Sequence, residues 1–382
     1  MAPPKPIKRP LVSYQPFRLI YTVIKLTAGL VKLPFWLLRS LVPALRQHHK
    51  WSFKQSFTST LIKAIVGSQS TIAITTSLSL KPGKQGDRWA TVKPFEPELY
   101  RGPLQSELVH PVEIGGTWYP AFPTSLRGDE TSPPKKVALH IHGGAFVINT
   151  GRDEDYKYFC NILTDAAGFD AVFAAQYRDS GYGGQDPFPA ALQDALTSYL
   201  YLVRALGIPA GNVTVTGDSA GGNLAAALLR YIESFGEELG IPRPGHVVLV
   251  SPWVAPLDDL TFDYSRTPEY KTDFLTAGFL RWGAKAYGLQ SDRCEDSREY
   301  INPVGRPFRT SVPVFVVIGS AEILCAQGTR WVDEMRGVEG NRVELYFQDG
   351  APHDTFFTGD AMGWHESVVE ASRKIEAFVD GQ

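Results

Sequence analysis

From residue 137 onward, short apolar runs alternate with longer amphipathic stretches. Residues 137–142, 171–177, 212–216, 247–251, 312–318 and 343–347 are of strand length and rich in β-branched and aromatic side chains. Residues 188–206 read as a helix with Ala190, Ala191, Ala195, Leu196 and Leu200 on its buried side. Residues 223–230 are strong helix formers, and 364–379 form a closing helix. Strands alternating with helices predict an α/β fold with a mostly parallel, doubly wound sheet. Upstream, residues 71–79, 107–114 and 117–122 predict short strands, with Gly115-Gly116 as a hairpin turn. Residues 127–134 read as a polar loop. Residues 252–303 are long, irregular and aromatic, which predicts an insertion rather than a crossover.

The N-terminal part follows another pattern. Residues 1–16 are proline-rich and basic, and predict an extended or disordered tail. Residues 17–46 are mostly apolar, interrupted by Arg18, Lys25, Lys32, Arg39 and Arg46 at intervals of seven. Seven residues are nearly two helical turns, so these charges form one slowly drifting stripe. No uncharged run reaches the ~18 residues of a spanning helix. Pro34 and Pro43 predict a kink or a break. The segment fits a pair of interfacial helices on a membrane, a cap over an active site, or both. Lysines inside the apolar region and the lack of a small-residue cleavage site argue against a signal peptide; a mitochondrial presequence is a minor alternative.

Charge sharpens that division. Residues 1–86 hold 13 Lys and Arg and no acid, whereas the rest of the chain holds 25 basic and 40 acidic residues. A basic front on an acidic body points to an anionic membrane surface. Nucleic acid is not expected, because the basic residues are interleaved with large apolar ones. Cys160, Cys294 and Cys325 match no disulfide or metal spacing, which fits the cytoplasm or the cytoplasmic face of an intracellular membrane. The sequon Asn212-Val213-Thr214 lies in a predicted core strand and reads as structural. The expected organisation is a tail at 1–16, a helical segment at 17–66 and an α/β domain at 67–382 with an insertion at about 253–303.

Gly217-Asp218-Ser219-Ala220-Gly221-Gly222 joins the strand at 212–216 to the helix at 223–230. A serine on such a corner stands above the sheet, and the flanking glycines let neighbouring backbone approach. Its hydroxyl needs a base, and the base a carboxylate. Beyond the insertion only His353 and His365 remain; His353 follows the last strand in a Gly/Pro loop, whereas His365 opens the final helix. Glu322, three residues past Gly319, follows the intervening strand and is the expected acid. Asp218, Asp349 and Asp354 are its rivals. Asp218 and Asp354 adjoin the serine and the histidine and should point elsewhere, and Asp349 lies too near His353 in the chain. The Ala220 N–H and the His142-Gly143-Gly144-Ala145 loop are suited to meet an oxyanion. His140 and His142 share a strand face as a metal pair would, but no third ligand is evident.

These pieces, with Phe146, Tyr177-Arg178, Pro187-Phe188-Pro189-Ala190-Ala191-Leu192-Gln193-Asp194, Ser251-Pro252-Trp253 and Glu322-Ile323-Leu324, resemble the hormone-sensitive-lipase branch of the α/β-hydrolases over residues 135–380. The resemblance implies an α/β-hydrolase fold with a helical cap and a carboxylic ester hydrolase with no cofactor. It implies Ser219 as nucleophile, Glu322 as acid and His353 as base, with Gly143, Gly144, Ala145 and Ala220 as oxyanion donors. Two departures stand out. Ala145 occupies the place of the family's usual third glycine, and Asp179-Ser180-Gly181-Tyr182-Gly183-Gly184-Gln185-Asp186 replaces its usual segment after Tyr-Arg. The apolar N-terminus is similar to that of fungal members, some of which deacylate secondary metabolites. The expected substrate is a hydrophobic small-molecule ester. The same triad also fits acyl transfer or cyclisation. A non-catalytic receptor of this fold, such as the gibberellin receptors, lacks the histidine that is present here.

Overall fold

The computed structural model describes residues 3–123 and 134–381, so nearly all of the loop expected at 127–134 lies outside the described residues. One sheet is built from β1 (Trp89–Val92), β2 (Ile114–Tyr119), β3 (Val137–Ile141), β4 (Ala171–Gln176), β5 (Val213–Asp218), β6 (His246–Val250), β7 (Val314–Gly319) and β8 (Val343–Gln348). Their order is β1-β2-β4-β3-β5-β6-β7-β8. β3 to β8 run parallel, and β1 and β2 are antiparallel at one edge. Every residue of β3, β4, β5 and β7 is buried. Burial on both faces is why these strands are near-continuous apolar runs.

The helices are α1 (Phe17–Leu41), α2 (Phe53–Ile72), α3 (Asp153–Asp165), α4 (Ala190–Leu200), α5 (Ser219–Leu239), α6 (Ala277–Tyr287), α7 (Arg298–Ile301), α8 (Cys325–Arg336), α9 (Thr355–Met362) and α10 (His365–Val379). The helix expected at 188–206 is α4 continued by a wider turn over Tyr201–Ala205. The aromatic insertion after β6 holds α6 and α7. Because the strands are parallel, the segments following β3, β5, β7 and β8 emerge at the same edge of the sheet, where ligands bind in folds of this kind.

The antiparallel edge departs from expectation. Gly115 and Gly116 lie inside β2 rather than in a turn. A Cβ on Gly115 would stand 1.9 Å from the Trp89 ring, and one on Gly116 2.2 Å from the Phe173 ring. These glycines make room for aromatic rings packed across the sheet. Residues 107–113 carry no strand, and residues 71–79 are the end of α2 followed by chain without regular secondary structure. Alternating β-branched residues favour an extended backbone but do not supply a partner strand.

The N-terminal part differs too. α1 runs through Pro34 and ends at Leu41, one residue before Val42 takes the extended conformation that Pro43 imposes on its predecessor. Ser52 and Gln55 form a reciprocal cap at the start of α2, which continues past the boundary expected at residue 66. α2 is bound to the body. Trp51 donates from Nε1 to the Gly350 carbonyl at 2.7 Å, Lys54 reaches Asp360, Ser59 reaches Thr272, and Lys63 holds the Tyr270 and Asp273 carbonyls. The tail is tied as well, since the Ile7 N–H donates to Gln290 and its carbonyl accepts from Gly183. α1, by contrast, leaves Ile20, Ile24, Val31, Phe35 and Leu38 more than half exposed along one side.

Trp51 is buried and packs edge-on against Trp364, so it is the pin that joins the N-terminal helices to the segment following β8. Trp51→Ala is expected to lower unfolding stability by about 3–5 kcal/mol, measured by denaturant titration.

Candidate active site

Ser219 closes β5 and opens α5 with φ 51°, a left-handed conformation that a serine adopts only under constraint. The neighbouring glycines make the turn possible. A Cβ on Gly217 would meet the Gly221 carbonyl at 2.3 Å, and one on Gly221 would meet the Ile141 carbonyl at 1.9 Å. The end of β3 and the start of α5 therefore press directly against each other. Ser219 is 7% exposed.

Glu322 follows β7 and His353 follows β8, and both are buried. Glu322 Oε2 lies 3.7 Å from His353 Nδ1, a charge contact somewhat longer than a hydrogen bond. The same oxygen accepts from Ser251 Oγ at 2.5 Å and from the Gly319 N–H at 3.3 Å. Burial would depress the His353 pKa, but the facing Glu322 carboxylate outweighs it and carries the imidazole above its ordinary value. Burial likewise lifts the Glu322 carboxyl, with His353 and Ser251 opposing. Phe274, from the insertion, sets its ring edge-to-face at 5.9 Å from His353.

The rival residues are engaged elsewhere. Asp349 is exposed and paired with Lys50, and His365 meets the Tyr158 hydroxyl. Asp218 turns beneath the sheet edge toward Gly143, Tyr156 and His140, and Asp354 caps α9. His140 Nδ1 meets Thr216, while His142 stacks on Tyr177 and places Nδ1 on the Gly143 carbonyl. Burial holds the His142 pKa down to about 4, so it is neutral.

Gly143, expected among the oxyanion donors, is corrected by its bonding. Its N–H is shared between the Tyr156 hydroxyl at 2.7 Å and Asp218 Oδ2 at 3.0 Å. Among the described residues, the Gly144, Ala145 and Ala220 N–H groups have no protein acceptor, the last as a first-turn donor of α5. Ala145 takes φ 53°, and its methyl is buried against α6, where Gly283 makes room. A Cβ at Gly283 would lie 2.8 Å from the Ala145 Cβ and 2.3 Å from its carbonyl oxygen.

The divergent loop after Tyr177-Arg178 packs on this same segment. The Ser180 N–H donates to the Phe146 carbonyl at 2.7 Å, and the loop folds back through a Gly181–Gln185 bridge. Arg178 is locked to Asp194 by hydrogen bonds of 2.8–2.9 Å, which join those two motifs.

Sequence reasoning assigned no role to Ser251, Tyr156, Asp273 or Gly283. Ser251 stands at φ 45° directly after β6, receives the Asp354 N–H at 3.0 Å and donates to Glu322. Asp273 receives the Ile323 N–H at 2.7 Å and fastens the insertion to the Glu322 loop. Only the Ser251-Pro252-Trp253 motif carried a signal, and it did not reveal the partner.

A parallel sheet with a glycine-flanked serine turn and a buried Glu–His pair at one edge defines the chain as an α/β-hydrolase by architecture. A family model described as alpha/beta hydrolase fold matches residues 138–357, more than half of the chain, and the protein belongs to that family. An acetyl-hydrolase from Streptomyces hygroscopicus is 31% identical over 191 residues, which is 50% of this chain and 58% of that protein. An esterase from Acinetobacter venetianus is 27% identical over 305 residues, 78% of this chain and 86% of its own. Among solved structures, an esterase of the bacterial hormone-sensitive lipase family shares the fold with a TM-score of 0.55 at 21% identity, covering 85% of this chain and 92% of that one.

The Ala145–Gly283 fit generates a prediction. Gly283→Ala is expected to cost about 1–3 kcal/mol by overpacking. Ala145→Gly should recover only part of it, because the carbonyl contact remains. Thermal melts of the two single variants and the double variant measure this.

Proposed function

We propose that the protein is a serine carboxylic ester hydrolase. The observation that carries this reading is the buried Glu322–His353 pair at the sheet edge to which the strained turn raises Ser219. In the proposed reaction His353 takes the Ser219 proton as Oγ attacks the ester carbonyl. Glu322 stabilises the imidazolium, and the Gly144, Ala145 and Ala220 N–H groups receive the oxyanion. His353 then protonates the departing alkoxide, and water activated by the same imidazole releases the acid.

The proposed substrate is an ester of a hydrophobic alcohol with a short acyl group. Relatives named acetyl-hydrolase and ethyl acetate hydrolase support the short acyl group. Phe274, an aromatic residue of the insertion whose ring faces the His353 imidazole, supports an apolar client. Deacylation of a secondary metabolite is one reaction of this class.

α1 supports a second reading, docking on an anionic membrane. The helix is long and apolar enough to cross a bilayer by length and composition. Lys25 and Lys32, however, line the groove of about 780 Å³ between α1 and α2, and the opposite side of α1 is apolar and bare. That distribution favours a helix lying in the interface, its bare side in the acyl region and its cations at the phosphates.

Ser219→Ala is expected to abolish both labelling by a fluorophosphonate probe and hydrolysis of p-nitrophenyl acetate; equal labelling of wild type and variant overturns the assignment. Product analysis with an added alcohol separates hydrolysis from acyl transfer. Because the base acts when neutral, kcat/KM should fall as pH drops through a midpoint above the ordinary histidine value. Glu322→Gln removes the charge that raises it, so the midpoint moves to lower pH as the rate falls. In flotation assays the protein should rise with phosphatidylserine-containing vesicles, less so at high salt, and Ile24→Glu/Val31→Glu should stay behind. Failure of the intact chain to float overturns the membrane reading.

A further inference from the structure

α1 and α2 run antiparallel, and the Ser13 hydroxyl, just ahead of α1, donates to the Ile72 carbonyl at the end of α2. The groove of about 780 Å³ between them holds no member of the proposed triad. It also holds none of Ile20, Ile24, Val31, Phe35 and Leu38, the side chains left bare along α1. Its volume falls within the roughly 300–1,000 Å³ of small-molecule sites. Leu26 and Leu30 line it and are themselves more than half exposed, so the protein leaves apolar surface inside the groove uncovered.

The groove is amphipathic along its length. Lys25 and Gln69 line it toward one end, and Leu33, Trp36 and Leu61 toward the other. α1 sets Lys25 and Trp36 about 16 Å apart along its axis. One acyl chain reaches a similar distance, since two of them make up the ~30 Å hydrocarbon core of a bilayer. The charge is one-sided. No acid occurs before Asp87, and no acidic residue lines the groove. Among the described residues the Lys25 and Lys32 ammonium groups have no carboxylate partner, and that of Lys25 lies 5.3 Å from the centre of the Tyr21 ring. Gly29 leaves the middle of the groove open, because a Cβ there would meet nothing within 4 Å.

We propose that this groove binds one long-chain fatty acid. The carboxylate meets Lys25 and Gln69, with Lys32 adding attraction, and the chain runs past Gly29 and Leu33 toward Trp36 and Leu61. A single chain suits the volume, and a single negative head suits cations that lack a carboxylate of their own. The chain covers Leu26 and Leu30, and removing that apolar surface from water drives the binding. The site depends neither on the hydrolase reading nor on the membrane reading, which rests on the opposite side of α1.

The other tryptophans are all buried, so Trp36 reports on the groove. Stearic acid brominated at mid-chain, added to the full chain below its micellar concentration and without vesicles, should quench the fluorescence saturably. Trp36→Phe should remove that quenching. The corresponding brominated alcohol, which lacks the charge, should bind at least about tenfold more weakly, and Lys25→Glu/Lys32→Glu should weaken the acid by a similar factor. Gly29→Phe puts a ring into the groove and replaces a glycine by a better helix former, so it should keep the wild-type circular dichroism and lose the quenching. Quenching that survives Trp36→Phe or Gly29→Phe, equal binding of acid and alcohol, or quenching confined to vesicles of brominated phospholipid overturns the proposal. Where the lysine variant fails to fold, Gly29→Phe and the alcohol decide. Failure of the membrane reading appears separately, because Ile24→Glu/Val31→Glu should still bind the acid.

Discussion

The contact on which the site depends is the one between the end of β3 and the start of α5, where the Ile141 carbonyl occupies the space a side chain on Gly221 would need. It holds Ser219 in a left-handed backbone conformation that costs a serine about 1–3 kcal/mol. The same approach brings the loop after β3 against the helix start that carries the Ala220 N–H. Strain recurs along this edge. Ala145, Phe146, Ser251 and Asp354 also have positive φ, each in a loop that follows a strand. Residues remain in such conformations only where surrounding packing over-determines them. Here that packing is the doubly buried parallel sheet.

A second layer of polar bonds keeps those loops in register with one another. Ser251 joins the loop after β6 to Glu322 and to the Asp354 backbone. Asp273 ties the insertion to the backbone beside Glu322, and Thr272 does so through the Ala321 carbonyl. α2 rests on the same insertion through Ser59 and Lys63. The N-terminal helices thus reach the His353 neighbourhood in two steps, α2 to residues 270–273 and Phe274 to the imidazole ring. Burial depresses the Lys63 pKa to about 8, so this attachment loses its charge at mildly alkaline pH.

The parts legible in the sequence were those whose physics is local. β3, β4, β5 and β7 are buried on both faces and therefore stand out as apolar runs, and the serine turn announces itself by its glycines. β1, an edge strand of four residues, is too short to show a periodicity. Gly115 and Gly116 looked like a turn because glycine marks both turns and sites of close packing. Only the ring positions of Trp89 and Phe173 separate the two. The engagement of the Gly143 N–H was hidden for a related reason. Tyr156 lies on a helix whose pattern records its burial but not where its hydroxyl points. Hydrogen bonds between segments far apart in the chain leave no periodicity.

The alanine in the loop after β3 also constrains what can lie opposite it on α6. Its methyl fits because α6 carries a glycine opposite, and a side chain there would collide with both the methyl and the carbonyl of residue 145. The insertion and the loop after β3 are consequently not interchangeable modules. A helix transplanted in place of α6 with a side chain at the position of Gly283 would bring a clash with it, whatever else it carried.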